Sequence, residues 1–375
     1  MIYFHIPFCK QACHYCDFHF STSLKYKEEV LSALHKELAQ RAGYLEDRKV
    51  QSIYFGGGTP SILEPSEIQR LIDRVSHHFD IDPQAEITLE ANPDDLTADK
   101  TRALKQTAIN RFSIGIQSFF EEDLIWMNRA HNAREADTSI KRVQDAGFEN
   151  ITCDLIYGYP LLSDEKWVNN IDKLLELDIP HISSYAMTVE SRTALAHQIK
   201  TGRTSAILDD QAERQMRILI TKLTGQSYEH YEISNFAKGK KYARHNTNYW
   251  RGKHYLGIGP SAHSYNGISR SWNVANNTKY ITGIQQGTKY QEIEILSKTN
   301  SYNEYIMTSL RTMWGIAPQQ IQDKFGTDFL SYFVKEVRPF IEEEKVKLDS
   351  DGSYKLTEEG KLFADFIASE LFLVE

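Results

Sequence analysis

Short apolar runs alternate with amphipathic stretches through the first half of the chain. Six runs read as strands: Ile2–Ile6, Gln51–Phe55, Glu86–Glu90, Arg111–Gly115, Asn150–Leu155 and His181–Tyr185. Between them lie segments with helical periodicity, among them Lys25–Ala42, Ser66–Phe79 and Ala133–Ala146. Ser66 with Gln69 reads as a capping box, and Gly147 as a C-terminal stop. Strands separated by helices imply a parallel sheet or barrel. A closed eightfold barrel would need two more repeats. The repeat fades after about residue 190. The pattern therefore predicts an α/β fold whose main body is an incomplete parallel (β/α)6 barrel over residues 1–195.

The middle region, 196–295, reads as an extension of that barrel. It holds one clear helix, Gln211–Leu223, and Gly- and aromatic-rich loops. Tyr231–Phe236 and His254–Tyr265 read as strand-and-turn structure. Residues 296–375 read as a separate, mainly helical module, with helices at Glu304–Met313 and Asp328–Glu343. Val346–Leu348, an Asp351-Gly352 turn and Tyr354–Leu356 predict a hairpin, followed by a closing helix over Thr357–Leu371. Helices followed by a hairpin give a winged-helix shape. Acidic residues crowd it (Glu342, Glu343, Glu344, Asp349, Asp351), which suits packing or a protein partner better than phosphate.

Composition narrows the choice. The chain has 375 residues, 41% hydrophobic and 25% charged, an ordinary globular balance with room for one large and one smaller domain. A net charge of −8 argues against a general nucleic-acid binder. No apolar run is long enough to span a bilayer. The opening MIYFHIPFC lacks a basic segment followed by an apolar one, so no secretory signal is expected. Of the four cysteines, three fall within eight residues, which suits a metal site in a reducing, cytoplasmic setting better than a disulfide scaffold. The pattern selects no oligomeric state.

Those three are Cys9, Cys13 and Cys16, just past the first strand. Thiolates suit zinc or iron–sulfur clusters. Zinc sites usually come as two separated pairs, and no second pair follows here. Three ligands on a four-iron cluster leave one iron open, as a reactive site requires. The alternative is a structural zinc site completed by His14 or His19. Cys153, inside the word ITCD, reads as a buried small hydrophobe.

The CKQACHYC word, with Tyr15 before the third cysteine, resembles that of the radical S-adenosylmethionine superfamily. In that superfamily the open iron chelates the methionine part of S-adenosylmethionine. An electron then cleaves the sulfonium to a deoxyadenosyl radical. Such a cofactor needs further groups, and candidates stand at successive strand ends: Gly56-Gly57-Gly58-Thr59-Pro60, Glu90, Gln117, Arg129 and Asp154. In a β/α barrel those ends share one rim, where active sites form. Spacing and local words are similar to the coproporphyrinogen dehydrogenase branch of the superfamily. That resemblance implies that Gly57, Gly58 and Thr59 contact the methionine part. It implies that Glu90, Gln117, Arg129, Asp154 and Tyr3 line the rest of the cofactor. Ala108 departs from a glycine usual in the branch, which touches a helix stop and not the chemistry.

Two words divide the branch. The dehydrogenase proper carries a further cysteine two residues after the third; this chain has Phe18 there. His245-Asn246-Thr247-Asn248-Tyr249-Trp250 is similar to an HNxxYW signature associated with heme binding in the branch's heme chaperones. An imidazole from His245 suits heme iron. Tyr249 and Trp250 offer flat apolar faces. Lys238, Lys240, Lys241, Arg244 and Arg251 offer cations for the propionates, or for anionic lipid in a peripheral membrane contact. The bland alternative is a solvated basic loop followed by core aromatics. His254 and His263 are competing ligands. The resemblance implies heme, client hemoproteins (respiratory ones) and an electron donor to the cluster as partners. The competing expectation is an oxygen-independent coproporphyrinogen III dehydrogenase of porphyrin biosynthesis.

Overall fold

The computed structural model describes residues 1–374. Six strands form its centre: β1 (Ile2–Ile6), β2 (Lys49–Gly57), β3 (Asp80–Ala91), β4 (Arg111–Gln117), β5 (Ile151–Tyr157) and β6 (His181–Ala186). They pair in parallel and in sequence order, as the periodicity predicts. One alternate set of side chains, including Ile53, Phe55, Leu89, Phe112, Ile114, Cys153 and Ile182, is buried in the main apolar core. The other set is polar and turns inward: Ser52, Glu86, Thr88, Arg111, Thr152 and His181.

The middle region supplies both flanks of this sheet. β7 (Tyr228–Glu232) and β8 (Asn235–Lys238) form an antiparallel hairpin added beside β6, while β9 (Leu256–Ile258) pairs in parallel with β1. The sheet therefore ends at β7 and β9, an open barrel. A second, three-stranded sheet follows (His263–Tyr265, Ser269–Asn273, Gln291–Ile295).

The first helix, Lys27–Gln40, ties this region down with a buried carboxylate. Glu37 accepts from Asn273 Nδ2 (2.7 Å), Gly259 N (2.8 Å), Tyr280 Oη (2.6 Å) and Arg41 Nη1 (3.3 Å). Arg41 in turn donates to the Gly257 carbonyl and to the hydroxyls of Ser264 and Ser271. A buried charge is tolerable only with such full pairing.

A separate core, from Tyr302 to Leu371, organises the C-terminal module. Helices Lys298–Leu310 and Thr327–Glu342 and the hairpin Val346–Leu348/Tyr354–Leu356 match the expected shape. Helix Pro318–Phe325 is additional. Only Ile321 and Phe325 mark its buried face, too few for a visible period. The closing helix begins late, with a 3-10 turn at Gly360–Phe363 before Ala364–Glu370. Thr357 is held instead by the hairpin, through its N–H to the Lys345 carbonyl. A second difference lies at Pro65–His78, where the capping box is Glu64 with Glu67 rather than Ser66 with Gln69. Pro65 lacks an N–H and suits the first helical position, which makes Glu64 the cap.

Glu37→Ala leaves Arg41 buried without its counter-charge and takes the acceptor from the Gly259 N–H and the Tyr280 hydroxyl. The variant is expected to lose about 3–5 kcal/mol of stability, read as a lower urea midpoint, with Glu37→Gln losing less.

Candidate functional site

Parallel strands deliver their C-terminal ends to one rim, and the cysteine loop crosses it. The loop is laced by main-chain bonds: Cys9 N to Ser21 O (3.1 Å), Ser21 N to Pro7 O (2.9 Å) and Thr59 N to Phe8 O (2.7 Å). The glycines after β2 lie hard against it. A Cβ at Gly58 would stand 2.6 Å from the Phe8 carbonyl oxygen, and one at Gly56 would stand 3.0 Å from Glu90 Oε1 and from the Tyr3 and Tyr54 rings. Gly57 has φ of 108°, which side chains disfavour. What these glycines show is steric: side chains there would meet the cysteine loop and the rings beside it.

Arg129 is the hub. It leaves a short helix, Glu121–Trp126, and reaches back under the cysteine loop. Its Nη1 lies 3.3 Å from Cys13 Sγ and 3.4 Å from Tyr15 Oη, and its Nη2 donates to Asn92 Oδ1 (2.7 Å) and the Gly115 carbonyl (2.9 Å). Next to it Asn128, at φ of 57°, donates to the Ala12 carbonyl and accepts from Gln11. His14 N donates to the Met127 carbonyl. The loop that carries three thiols is thus moulded on residues 126–129.

Cys9, Cys13 and Cys16 are free and partly exposed, and Thr59 Oγ1 points its hydroxyl at Cys9 Sγ (3.4 Å). Burial pushes the Cys9 and Cys16 thiols up to about 11. Iron would displace those protons, since thiolate is the ligand. Among the described residues no three His, Cys, Asp or Glu side chains gather around a point that one ion could fill. A cube-shaped cluster takes its thiolates at separate corners, whereas tetrahedral zinc needs them converged. The histidines of the zinc alternative are engaged elsewhere: His14 Nδ1 with the Trp126 carbonyl (2.9 Å) and His19 Nε2 with Asn277 Oδ1 (2.8 Å). The donor set and the cradle fit a [4Fe–4S] cluster carrying a small chelating ligand.

The other rim candidates surround the same opening. Tyr54 donates to Glu90 Oε1 (2.7 Å), and Tyr3 stacks on Tyr54 with centroids 6.1 Å apart. Ser113 Oγ lies 3.4 Å from Asp154 Oδ2. Gln117 adopts φ of 65°, and its Nε2 crowds Gly115. Burial first, then the neighbouring Asp154 charge, raises the Glu90 carboxyl to about 7; burial raises that of Asp154 to about 6. Sequence reasoning missed Tyr54, Asn92 and the role of Tyr15. The signal for Tyr54 was the polar alternation of β2, Ser52-x-Tyr54-x-Gly56, which marks an inward face.

The HNTNYW word falls elsewhere. It is a helix, Arg244–Trp250, that plugs the barrel floor, at the opposite end from the cysteines. Glu86 caps it, accepting from Arg244 N (3.0 Å) and His245 N (2.8 Å). His245 is completely buried, with Nδ1 on Ser52 Oγ (2.8 Å) and Nε2 on Tyr249 Oη (3.1 Å). Burial, then the nearby Met1 ammonium and Arg111, hold its proton affinity well below the usual range. The expected open axial ligand is therefore not what this fold presents: both nitrogens are used and no face reaches solvent. Tyr249 packs between His245 and Tyr255, and Trp250 lies against Arg311 of the C-terminal module, so neither ring is a free platform. His254 and His263 remain exposed, and Lys238, Lys240, Lys241, Arg244 and Arg251 stay on the surface.

Glu90 makes the site pH-sensitive. A carboxyl raised from 4.5 to about 7 binds a proton in the folded state that the unfolded chain releases. Its contribution to stability is full below about pH 4.5 and is lost as pH rises through about 7. Apo protein should melt at lower temperature at pH 7.5 than at pH 5, and Glu90→Gln should flatten that slope; an unchanged slope would contradict the assignment.

Comparison with known proteins finds relatives along the whole chain. Residues 3–188 match the model of the radical SAM superfamily, and 296–363 match the HemN C-terminal domain. The chain is 31% identical over 366 residues to the heme chaperone HemW of Bacillus subtilis, covering 97% of this chain and 96% of that one. It is 32% identical to the heme chaperone HemW of Escherichia coli, covering 100% and 98%. Its fold superposes on the coproporphyrinogen III oxidase HemN of Escherichia coli with a TM-score of 0.85 at 23% identity, covering 99% of this chain and 89% of that one. With likeness of 31–32% identity running along nearly the whole chain, the chain belongs to the HemW family within the radical S-adenosylmethionine superfamily.

Proposed function

We propose that this chain is a heme chaperone. It binds heme, holds a [4Fe–4S] cluster on Cys9, Cys13 and Cys16 with S-adenosylmethionine at the open iron, and passes the heme to client hemoproteins, respiratory ones by resemblance. The observation that carries the reading is Phe18. It stands where the dehydrogenases of the branch carry a further cysteine, and it is 68% exposed beside the cluster loop. A large apolar ring kept in water at a reactive rim suits contact with a flat apolar ligand.

The rim offers more such surface. Leu24 follows the cluster loop, Tyr185 stands near the end of β6 and Val189 follows that strand; all three are exposed. The chain after β6 returns to the cluster loop, where Leu195 N donates to the His14 carbonyl (2.8 Å). The two ends of the parallel sheet thus meet at one mouth. The macrocycle is better served there than at His245 on the floor.

In this reading Gly57, Gly58 and Thr59 hold the methionine part, while Tyr3, Glu90, Gln117, Arg129 and Asp154 line the rest. When bound, cluster and cofactor supply one-electron chemistry, which a separate electron donor must feed. The chain's own groups exclude water, orient the ligand and keep Glu90 hydrogen-bonded. The exposed Lys238, Lys240, Lys241 and Arg244 suit a peripheral contact with an anionic membrane surface. No helix among the described residues is long and apolar enough to cross a membrane.

Anaerobic reconstitution should yield about four irons and four sulfides per chain, and Cys13→Ser should abolish them; one zinc per chain would favour a structural zinc site instead. The reconstituted protein should bind heme with a saturable absorption change, and absence of binding would defeat the chaperone reading. Incubation with coproporphyrinogen III, S-adenosylmethionine and a reductant should give no protoporphyrinogen. Product in that assay would establish the dehydrogenase instead.

A further inference from the structure

We infer that His245 is a positioning residue for the S-adenosylmethionine site: it holds the Tyr54 ring, and Tyr54 holds the Glu90 carboxylate. This rests on the proposed placement of Glu90 beside the cofactor.

The chain of contacts is short and fully buried at its base. The imidazole lies 5.0 Å from the Tyr54 ring centroid, tilted by 33°. Tyr3 covers another side of that ring, and the hydroxyl is spent on Glu90. Glu90 is confined on its other side as well: a Cβ at Gly56 would stand 3.0 Å from its Oε1, and the Gly57 N–H is a second donor to its carboxylate. His245 itself is pinned by Ser52 and Tyr249, and its helix is fixed in depth by the Glu86 cap. A neutral, immobile imidazole serves as a wall, and its hydrogen bonds set the angle of that wall.

The same helix touches the C-terminal module on its far side. Arg311 lies over the Trp250 ring at 5.3 Å while pairing with Glu232 and Asp365, and Arg251 stacks on Trp314 at 4.2 Å. A shift of that module would move the helix, and with it the support of Tyr54. The floor motif is thereby a mechanical link between the C-terminal module and the cofactor rim, rather than a heme ligand.

The test uses the full chain with its cluster reconstituted. S-adenosylmethionine affinity is measured for wild type, His245→Ala, Tyr54→Phe and the double variant, with heme affinity measured in parallel. Each single change should weaken S-adenosylmethionine binding by about tenfold, and the double should be little worse than either, because the two act in series. The pH midpoint of binding should move upward in both singles, since each weakens the Tyr54 bond to the Glu90 carboxylate. Iron content and heme affinity should stay within about twofold of wild type. Additive losses, or His245→Ala with undiminished S-adenosylmethionine binding, would overturn the inference. So would loss of heme with a shifted absorption band in that variant, which would restore His245 as a ligand. Should His245→Ala fail to fold, Tyr249→Phe frees only Nε2 and should weaken S-adenosylmethionine binding by a few-fold; wild-type affinity there would equally count against it. Failure of wild type to bind heme concerns the chaperone reading and leaves these comparisons intact.

Discussion

One guanidinium draws four pieces of the rim together. Arg129 touches a cysteine, the tyrosine of the cysteine word, the asparagine after β3 and the main chain of β4. A planar fork of donors can do this where an ammonium could not, because its hydrogen bonds leave in fixed directions. Its Nε is buried without a protein partner among the described residues, so all of its bonds leave through the two terminal nitrogens. The three thiols have no sheet to hold them; their placement depends on a loop moulded over this cation and its neighbours.

Below the rim the barrel departs from the usual aliphatic filling. Its lumen carries Arg111, Glu86, Thr152 and His181 at the floor, and Thr88 and Ser113 higher up. Arg111 bonds Thr152, His181 bonds both Thr152 and Tyr231, and Tyr231 accepts from Ala243. Such a network costs desolvation that packed aliphatics would avoid, and what it gives in return is a unique arrangement. The Arg244–Trp250 helix can enter only where Glu86 meets its N-terminus and His245 meets Ser52. Polar filling also keeps the lumen compatible with a charged cofactor above it.

The fold is shared with an enzyme of the same superfamily at low identity, so the fold alone says little about the reaction. In the proposed reading the difference lies in chemistry at a few rim positions, Phe18 foremost. An exposed ring offers a contact surface, whereas a cysteine would offer a nucleophile or another ligand. The family name follows from likeness along the whole chain; its expression in this molecule must be sought at that rim.

The sequence by itself determined the order of the six central strands and put the cysteine loop and the rim candidates at their C-terminal ends, because each rests on local spacing. A strand ends where its apolar run ends, and in a parallel sheet every such end faces the same way. The hairpin of the C-terminal module was legible for the same reason. Position along the helices was less so: Pro65 moved a cap by two residues. The floor of the barrel was decided only in three dimensions. His245, Tyr249 and Trp250 show a histidine among aromatics near lysines, a pattern equally at home on a surface or in a core. Only the packing of residues about two hundred positions apart, Ser52 against His245 and Glu37 against Tyr280, shows which surfaces meet. Burial is a property of the assembled layers, and no local period encodes it.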